Sequence, residues 1–394
     1  MIISKHKFIK AFNCLYLLTP LFLFCLIGYG CNSDHVNSDR NITEPSLSKM
    51  VGQMIMLGFR GLEISEDSPI VEAIEEVKVG GVVLYDQDVI LKEDTRNVDS
   101  PDQLRCLVQE LQARSETPLL VAIDQEGGQI SRLKTKYGFP PTMSAAKLGK
   151  IDQTDRTEVA ARRIGQTLNR VKVNLDLAPV VDVNVNPQNP AIGRLDRSFS
   201  KDPEEVIEHA TAFIRGLHAE GILSCIKHFP GHGSAWNDSH FGLTDITQTW
   251  TKQELRPFQA IIEKGLCDAV MTGHLFNAKI DSEYPATLSV KALKGLLRDK
   301  LGFKGVIISD DMQMAAIKEF YGLREAVYRF IKAGGDILLF ANNLQYDPKI
   351  AIKVHGLILD MVSQGRIETS RIRDSYCRIM HLKRRLGQDP VEIK

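Results

Sequence analysis

The chain has 394 residues and sets 49 Lys and Arg against 49 Asp and Glu, so its formal charge is zero. That excludes the basic surface nucleic acid requires and the acidic tail of a buffering protein. An apolar fraction of 43% supplies a full core, at a length suited to one large α/β domain or two ordinary ones.

The first residues read as a targeting segment. Lys5, His6, Lys7 and Lys10 make a positive region, Ala11 to Gly30 is nearly all apolar, and Cys31 closes the run. This is the layout of a secretory signal. We expect residues 1–30 to be a signal peptide and the polar stretch 31–45 a disordered tether. Cys31 after Ile27-Gly28-Tyr29-Gly30 resembles the lipobox of bacterial lipoproteins, in which the cysteine carries lipid. Asn32 in place of an aspartate then suggests the outer membrane. An uncleaved membrane anchor is the alternative, because the apolar run is long enough to span. Either way the folded part is expected outside the cytoplasm. Of the remaining cysteines, Cys106, Cys225, Cys267 and Cys377, none forms a CxxC pair, so no disulfide scaffold is expected.

From Ser46 onward, apolar runs alternate with helical patterns. A helix starts near Ser46 or Ser48, with Ser48 as its cap. Strands are expected at 54–59, 82–85, 119–123, 173–183 (interrupted by Pro179), 222–226, 269–272, 306–309 and 337–340. Helices are expected at 69–77, 101–115, 154–170, 203–219, 252–264, 289–301, 324–333, 348–364 and 369–386. The strands are continuous apolar runs, as when both faces are covered. Eight such units predict an α/β fold closed into a single-domain (β/α)8 TIM-like barrel over residues 46–386, with 387–394 a C-terminal tail. A doubly wound open sheet is the runner-up. The barrel is favoured because Asp124, Lys227, His228, His274 and Asp310 fall at the carboxyl ends of different strands. A barrel gathers those ends around one cup.

The richest stretch runs from Gly221 to Leu243. Three histidines, a lysine and an aspartate lie within the fourteen residues from Lys227 to His240, among the turn residues Pro230, Gly231 and Gly233. Asp238 and His240 are two apart, so in an extended loop they face the same way. Asp238 can then fix the tautomer and basicity of His240, leaving the other ring nitrogen for proton transfer. Asp310 and Asp311 point in different directions at a strand end. One of them can face the cup and attack an anomeric carbon. Asp124, Lys227, His228 and Arg197 have the character of binding residues, with Arg194 competing for the role of Arg197. His232 is read as a loop stabiliser, and Trp236 as a sugar platform or lid. A metal site is disfavoured, because no HxH follows the early strands and no HExxH is present.

The segments IDQEGG (Ile123 to Gly128), RSF (Arg197 to Phe199), KHFPGHG with DSH (Lys227 to Gly233, Asp238 to His240), TGH (Thr272 to His274) and SDDM (Ser309 to Met312) resemble glycoside hydrolase family 3, in particular its single-domain bacterial β-N-acetylhexosaminidases. The resemblance implies a retaining exo-β-N-acetylglucosaminidase acting on peptidoglycan or chitin fragments without metal or organic cofactor. It implies Asp310 as nucleophile, His240 as acid–base and Asp238 as its partner. Asp124, Arg197, Lys227 and His228 would hold the sugar hydroxyls. The longer link Gly193-Arg194-Leu195-Asp196 before RSF leaves Arg194 and Arg197 both open for one role. Histidine as the acid–base adds no negative charge after donation, so phosphorolysis stands beside the favoured hydrolysis. A β-glucosidase or β-xylosidase of the same family, and a non-catalytic sugar-binding lipoprotein, are the rival readings. The expected partners are N-acetylglucosaminide oligosaccharides or muropeptides and a membrane reached through lipid on Cys31. Neither nucleic acid nor an obligate protein partner is expected.

Overall fold

The structure is a computed structural model that describes residues 44–239 and 242–386. The expected signal, tether and C-terminal tail therefore lie outside the described residues, apart from Glu44 and Pro45. Contacts separate Met1–Glu44 from Pro45–Lys394, and the barrel belongs to the second unit.

Eight short parallel strands form the barrel: β1 (Ile55–Gly58), β2 (Gly81–Leu84), β3 (Leu120–Ile123), β4 (Leu175–Asp176), β5 (Leu223–Phe229), β6 (Ala269–Thr272), β7 (Val306–Ser309) and β8 (Leu338–Phe340). Their spatial order is β7-β6-β5-β4-β3-β2-β1-β8. Closure comes from a parallel bridge between Ile308 and Ile337, with the Ser309 amide donating to the Ile337 carbonyl at 2.9 Å. Every residue of these strands is buried, which explains why the runs carry no polar alternation. Helices after the strands cover the outside, and one continuous apolar core fills the barrel and the strand–helix layer.

Several boundaries differ from expectation. The first helix, Leu47–Gln53, is capped by Ser46, whose hydroxyl accepts from the Lys49 amide at 3.2 Å. Ser48 instead pairs with His355 at 3.2 Å. The fourth strand shrinks to two residues because Pro179 has no amide to give the ladder, which resumes only as a bridge from Val180 to Lys227. The fifth strand runs on through Lys227 and His228 to Phe229. The helix expected at 324–333 begins at Ala315, with a break at Gly322, where φ is 67°.

At the amino ends of the strands, two buried aspartates tie the barrel to its last helix, Thr369–Lys383. Asp336 accepts from the Ile307 amide (2.9 Å), Ser375 (2.7 Å) and Arg378 (3.1 Å). Asp268 accepts from the Ser224 amide (2.8 Å) and His218 (2.6 Å) and pairs with Arg385. The helix is also held by Lys383, which is buried and donates to Gln53 Oε1 at 2.7 Å.

Burial pushes the Lys383 ammonium down to about 7. A lysine depressed on folding binds fewer protons folded than unfolded between about pH 7 and its free value. Stability therefore rises with pH across that window and is penalised in full below it. Lys383→Met should remove this slope. Urea denaturation at pH 7 and pH 9 should show the parent gaining about 2 kcal/mol more than the variant; equal gains would refute it.

Candidate active site

The carboxyl ends of the strands surround a solvent-open cup of about 270 Å³, lined by residues that include Asp124, Arg197, Lys227, His228, Asp238 and Asp310. Side chains expected from separate stretches of sequence thus meet in one place. Arg194 is not among the lining residues. It is exposed and donates to Gln188 at 3.3 Å, so of these two arginines it is Arg197 that reaches the cup. His240 lies outside the described residues.

The floor of the cup is an ion-pair network centred on Lys227. This side chain is 1% exposed, and its ammonium sits 2.6 Å from Asp124 Oδ1 and 2.7 Å from Glu126 Oε1. Arg197 clamps Glu126 with both arms of its guanidinium, at 2.7 and 2.8 Å. Arg132 reaches the other oxygen of Asp124 at 3.3 Å. Burial alone would raise the Asp124 carboxyl, but Lys227, Arg132 and Arg197 outweigh it and hold it well below the usual range. The same contest, won by Arg197 and Lys227, lowers Glu126. Lys227, which burial would deprotonate, is held charged by Asp124 and Glu126.

Local geometry makes this network possible. After β3 the chain turns back in a short hairpin, Gln125–Gly127 against Ile130–Ser131, and so returns Arg132 to the cup. Gly128 (φ 63°) and Gln129 form its turn after Gly127 (φ 98°), and a Cβ at Gly128 would stand 2.5 Å from that of Ser144. Beneath, Asp176 at the end of β4 accepts from the Gln125 amide at 3.0 Å. Burial raises its carboxyl to about 8, so it is a neutral acid at pH 7.

A second fixed point is Asp182, which is fully buried. It accepts from the His228 amide (3.2 Å), His228 Nδ1 (2.7 Å) and the His232 amide (2.7 Å). Arg197 donates toward His228 Nε2 at 3.3 Å, so the ring is held from both sides, with Nδ1 on Asp182. His232, pushed down to about 4 by burial and by neighbouring His228, is neutral at pH 7, and its carbonyl accepts from Asn189 at 2.7 Å. Its role is in the loop, in keeping with its place between two glycines.

The loop after β5 is fastened at its base from neighbouring units. Trp250 Nε1 donates to the Pro230 carbonyl (2.9 Å), the Ser234 amide to Glu254 Oε2 (3.2 Å), and Asn186 to the Ala235 carbonyl (2.9 Å). Beyond that base, Trp236 is 66% exposed and Asp238 turns into the cup. On the other side, Asp310 follows β7 and accepts the Asp311 amide at 2.8 Å, which restricts rotation of its carboxylate. Asp311 lines the cup as well, but its Oδ1 is engaged in capping the following turn, accepting the Gln313 amide (3.1 Å) and the Ala341 amide (3.0 Å). His274 is buried between Thr287 (2.8 Å) and the Asp311 carbonyl (2.9 Å).

Three members of the site went unassigned in the sequence: Glu126, Arg132 and Asp182. Glu126 could have been found, since it stands two residues from Asp124. Arg132 and Asp182 depend on the hairpin and on the path of the chain after β4, for which single residues gave no signal.

The family model described as the N-terminal domain of glycosyl hydrolase family 3 matches residues 46–382. The beta-hexosaminidase A of Pseudoalteromonas piscicida is 32% identical over 379 residues, covering 88% of this chain and 62% of that protein. The beta-hexosaminidase of Tolumonas auensis is 35% identical over 292 residues, 73% of this chain and 83% of that protein. A glycoside hydrolase family 3 beta-N-acetylglucosaminidase from Paenibacillus superposes with a TM-score of 0.80 at 35% identity, over 87% of this chain and 63% of that one. The chain thus spans less than two thirds of the first relative and of this solved structure.

Asp182→Ala should strip both histidines of a buried acceptor and lower stability by about 3 kcal/mol in urea denaturation. Arg194→Ala, at an exposed position, should change it by less than about 0.5 kcal/mol. A mild Asp182 variant would show that the loop is held elsewhere.

Proposed function

The chain belongs to glycosyl hydrolase family 3, and from that premise and the geometry of the cup we propose that it is a retaining exo-β-N-acetylglucosaminidase. The observation that carries this reading is the convergence of Asp310 and Asp238 on one small cup floored by the Lys227 network. A cup of about 270 Å³ at the end of a barrel suits one sugar ring, which favours cleavage from a chain end.

In this reading Asp124 accepts from sugar hydroxyls, and Lys227, Arg197 and His228 complete the polar floor. Asp310 attacks C1, and the C1–oxygen bond breaks with its electron pair going to the leaving oxygen. His240, two residues from Asp238, gives that oxygen a proton. Water then attacks C1, returns a proton to His240 and releases Asp310, so two inversions give retention. Asp238 orients His240 and supports its charge. Asp311, committed to two amides, fits this role less well than Asp310.

We extend the proposal to location and substrate. Cys31 would carry lipid and hold the enzyme at the periplasmic face of the outer membrane, with peptidoglycan or chitin fragments as substrates. The charged run, apolar run and cysteine of residues 5–31 support it.

The protein from residue 46 onward should release 4-nitrophenol from its β-N-acetylglucosaminide, and Asp310→Ala should lose at least ~10³-fold in kcat. A folded parent that releases none sinks the proposal; equal rates in parent and variant displace the nucleophile. In cells, Cys31→Ser should move the protein from the membrane to the soluble fraction, whereas unchanged fractionation would argue for an uncleaved anchor.

A further inference from the structure

With room for one ring in the cup, whatever is linked to that sugar must lie across the mouth. One side of the mouth is apolar. Val89 (55% exposed) and Leu344 (41%) both line it, and Ile90 (43%) and Leu91 (50%) continue along the same turn. Single exposed aliphatic side chains are ordinary, but such side chains grouped beside a polar site mark a contact surface.

This rim is held in place. The Val89 amide donates to Asn343 Oδ1 at 3.1 Å, joining the loop after β2 to the loop after β8. The buried Arg96 donates to the same oxygen (2.8 Å) and to the carbonyls of Phe59 (2.9 Å) and Asn342 (3.0 Å). It also pairs with Asp88 at 3.1 Å, and Asp88 Oδ1 accepts the Leu91 amide at 2.9 Å. A guanidinium is costly to bury, and here its donors serve to fix the turn that presents the aliphatic side chains to solvent. The charged floor and the apolar rim thus occupy different parts of one cup.

We infer that this rim is a platform for the leaving group, and that the enzyme prefers β-N-acetylglucosaminides whose aglycone presents an apolar surface. The inference rests on the glycosidase reading of the cup. Octyl and methyl β-N-acetylglucosaminide test it, because their alcohols differ little in acidity and a difference in rate reports contact. Below the micellar concentration of the octyl glycoside, the parent should favour it over the methyl in kcat/KM by about tenfold, the worth of roughly two buried methylenes. In a Val89→Ser, Leu344→Ser double variant that ratio should fall toward one. A ratio near one in the parent, or an unchanged ratio in the variant, overturns the platform. If the parent cleaves neither these nor the nitrophenyl glycoside, the glycosidase reading has failed. Calorimetry on Asp310→Asn then decides the platform: tighter binding of the octyl glycoside keeps it, and equal affinities overturn it.

Discussion

The site depends on a lysine ammonium placed inside a barrel strand. Taking that charge out of water costs several kcal/mol, and only well-placed partners offset it. Asp124 and Glu126, at 2.6 and 2.7 Å, come from the turn after β3, and Arg197, from the loop after β4, satisfies Glu126 in turn. Three neighbouring barrel units are therefore committed to one another by charge as well as by strand pairing. None of the four groups can be removed without leaving another buried and short of a partner, which is why the network can only be kept whole.

Around it the cup contains neutral groups as well as charged ones. His228 is fixed from both sides, with Arg197 against one ring nitrogen and Asp182 against the other. Asp176, just below, is kept protonated by burial. Fixed charges in the cup, with neutral groups supporting them, give a polar surface that needs no rearrangement when a ligand arrives.

Much of this was legible in the sequence. Continuous apolar runs ending in Asp, Lys, His and Asp encode a barrel whose polar residues gather at one end, and the structure places Asp124, Arg197, Lys227, His228, Asp238 and Asp310 together. What escaped was set by tertiary contact. Lys227 and His228 sit inside β5 because partners distant in sequence neutralise or bond them, so a strand drawn from hydropathy stops too early. Gln125–Gly127 pairs with Ile130–Ser131 across Gly128 and Gln129, too short a pattern for periodicity to register. Arg194 and Arg197 are indistinguishable in composition. They part because the turn Gly193–Leu195 leaves the first in solvent, while the second finds Glu126.

The base of the loop after β5 has supports of its own. Residues Pro230 to Ala235 are fastened by Trp250, Glu254 and Asn186, three partners that lie outside the segment. Under the proposed reading, descendants of such a barrel could exchange the proton-transfer apparatus, by insertion, deletion or borrowing from elsewhere, while keeping the same sugar. Inheritance of recognition and inheritance of acid–base chemistry become separable traits, and substitutions accumulate in one without testing the other.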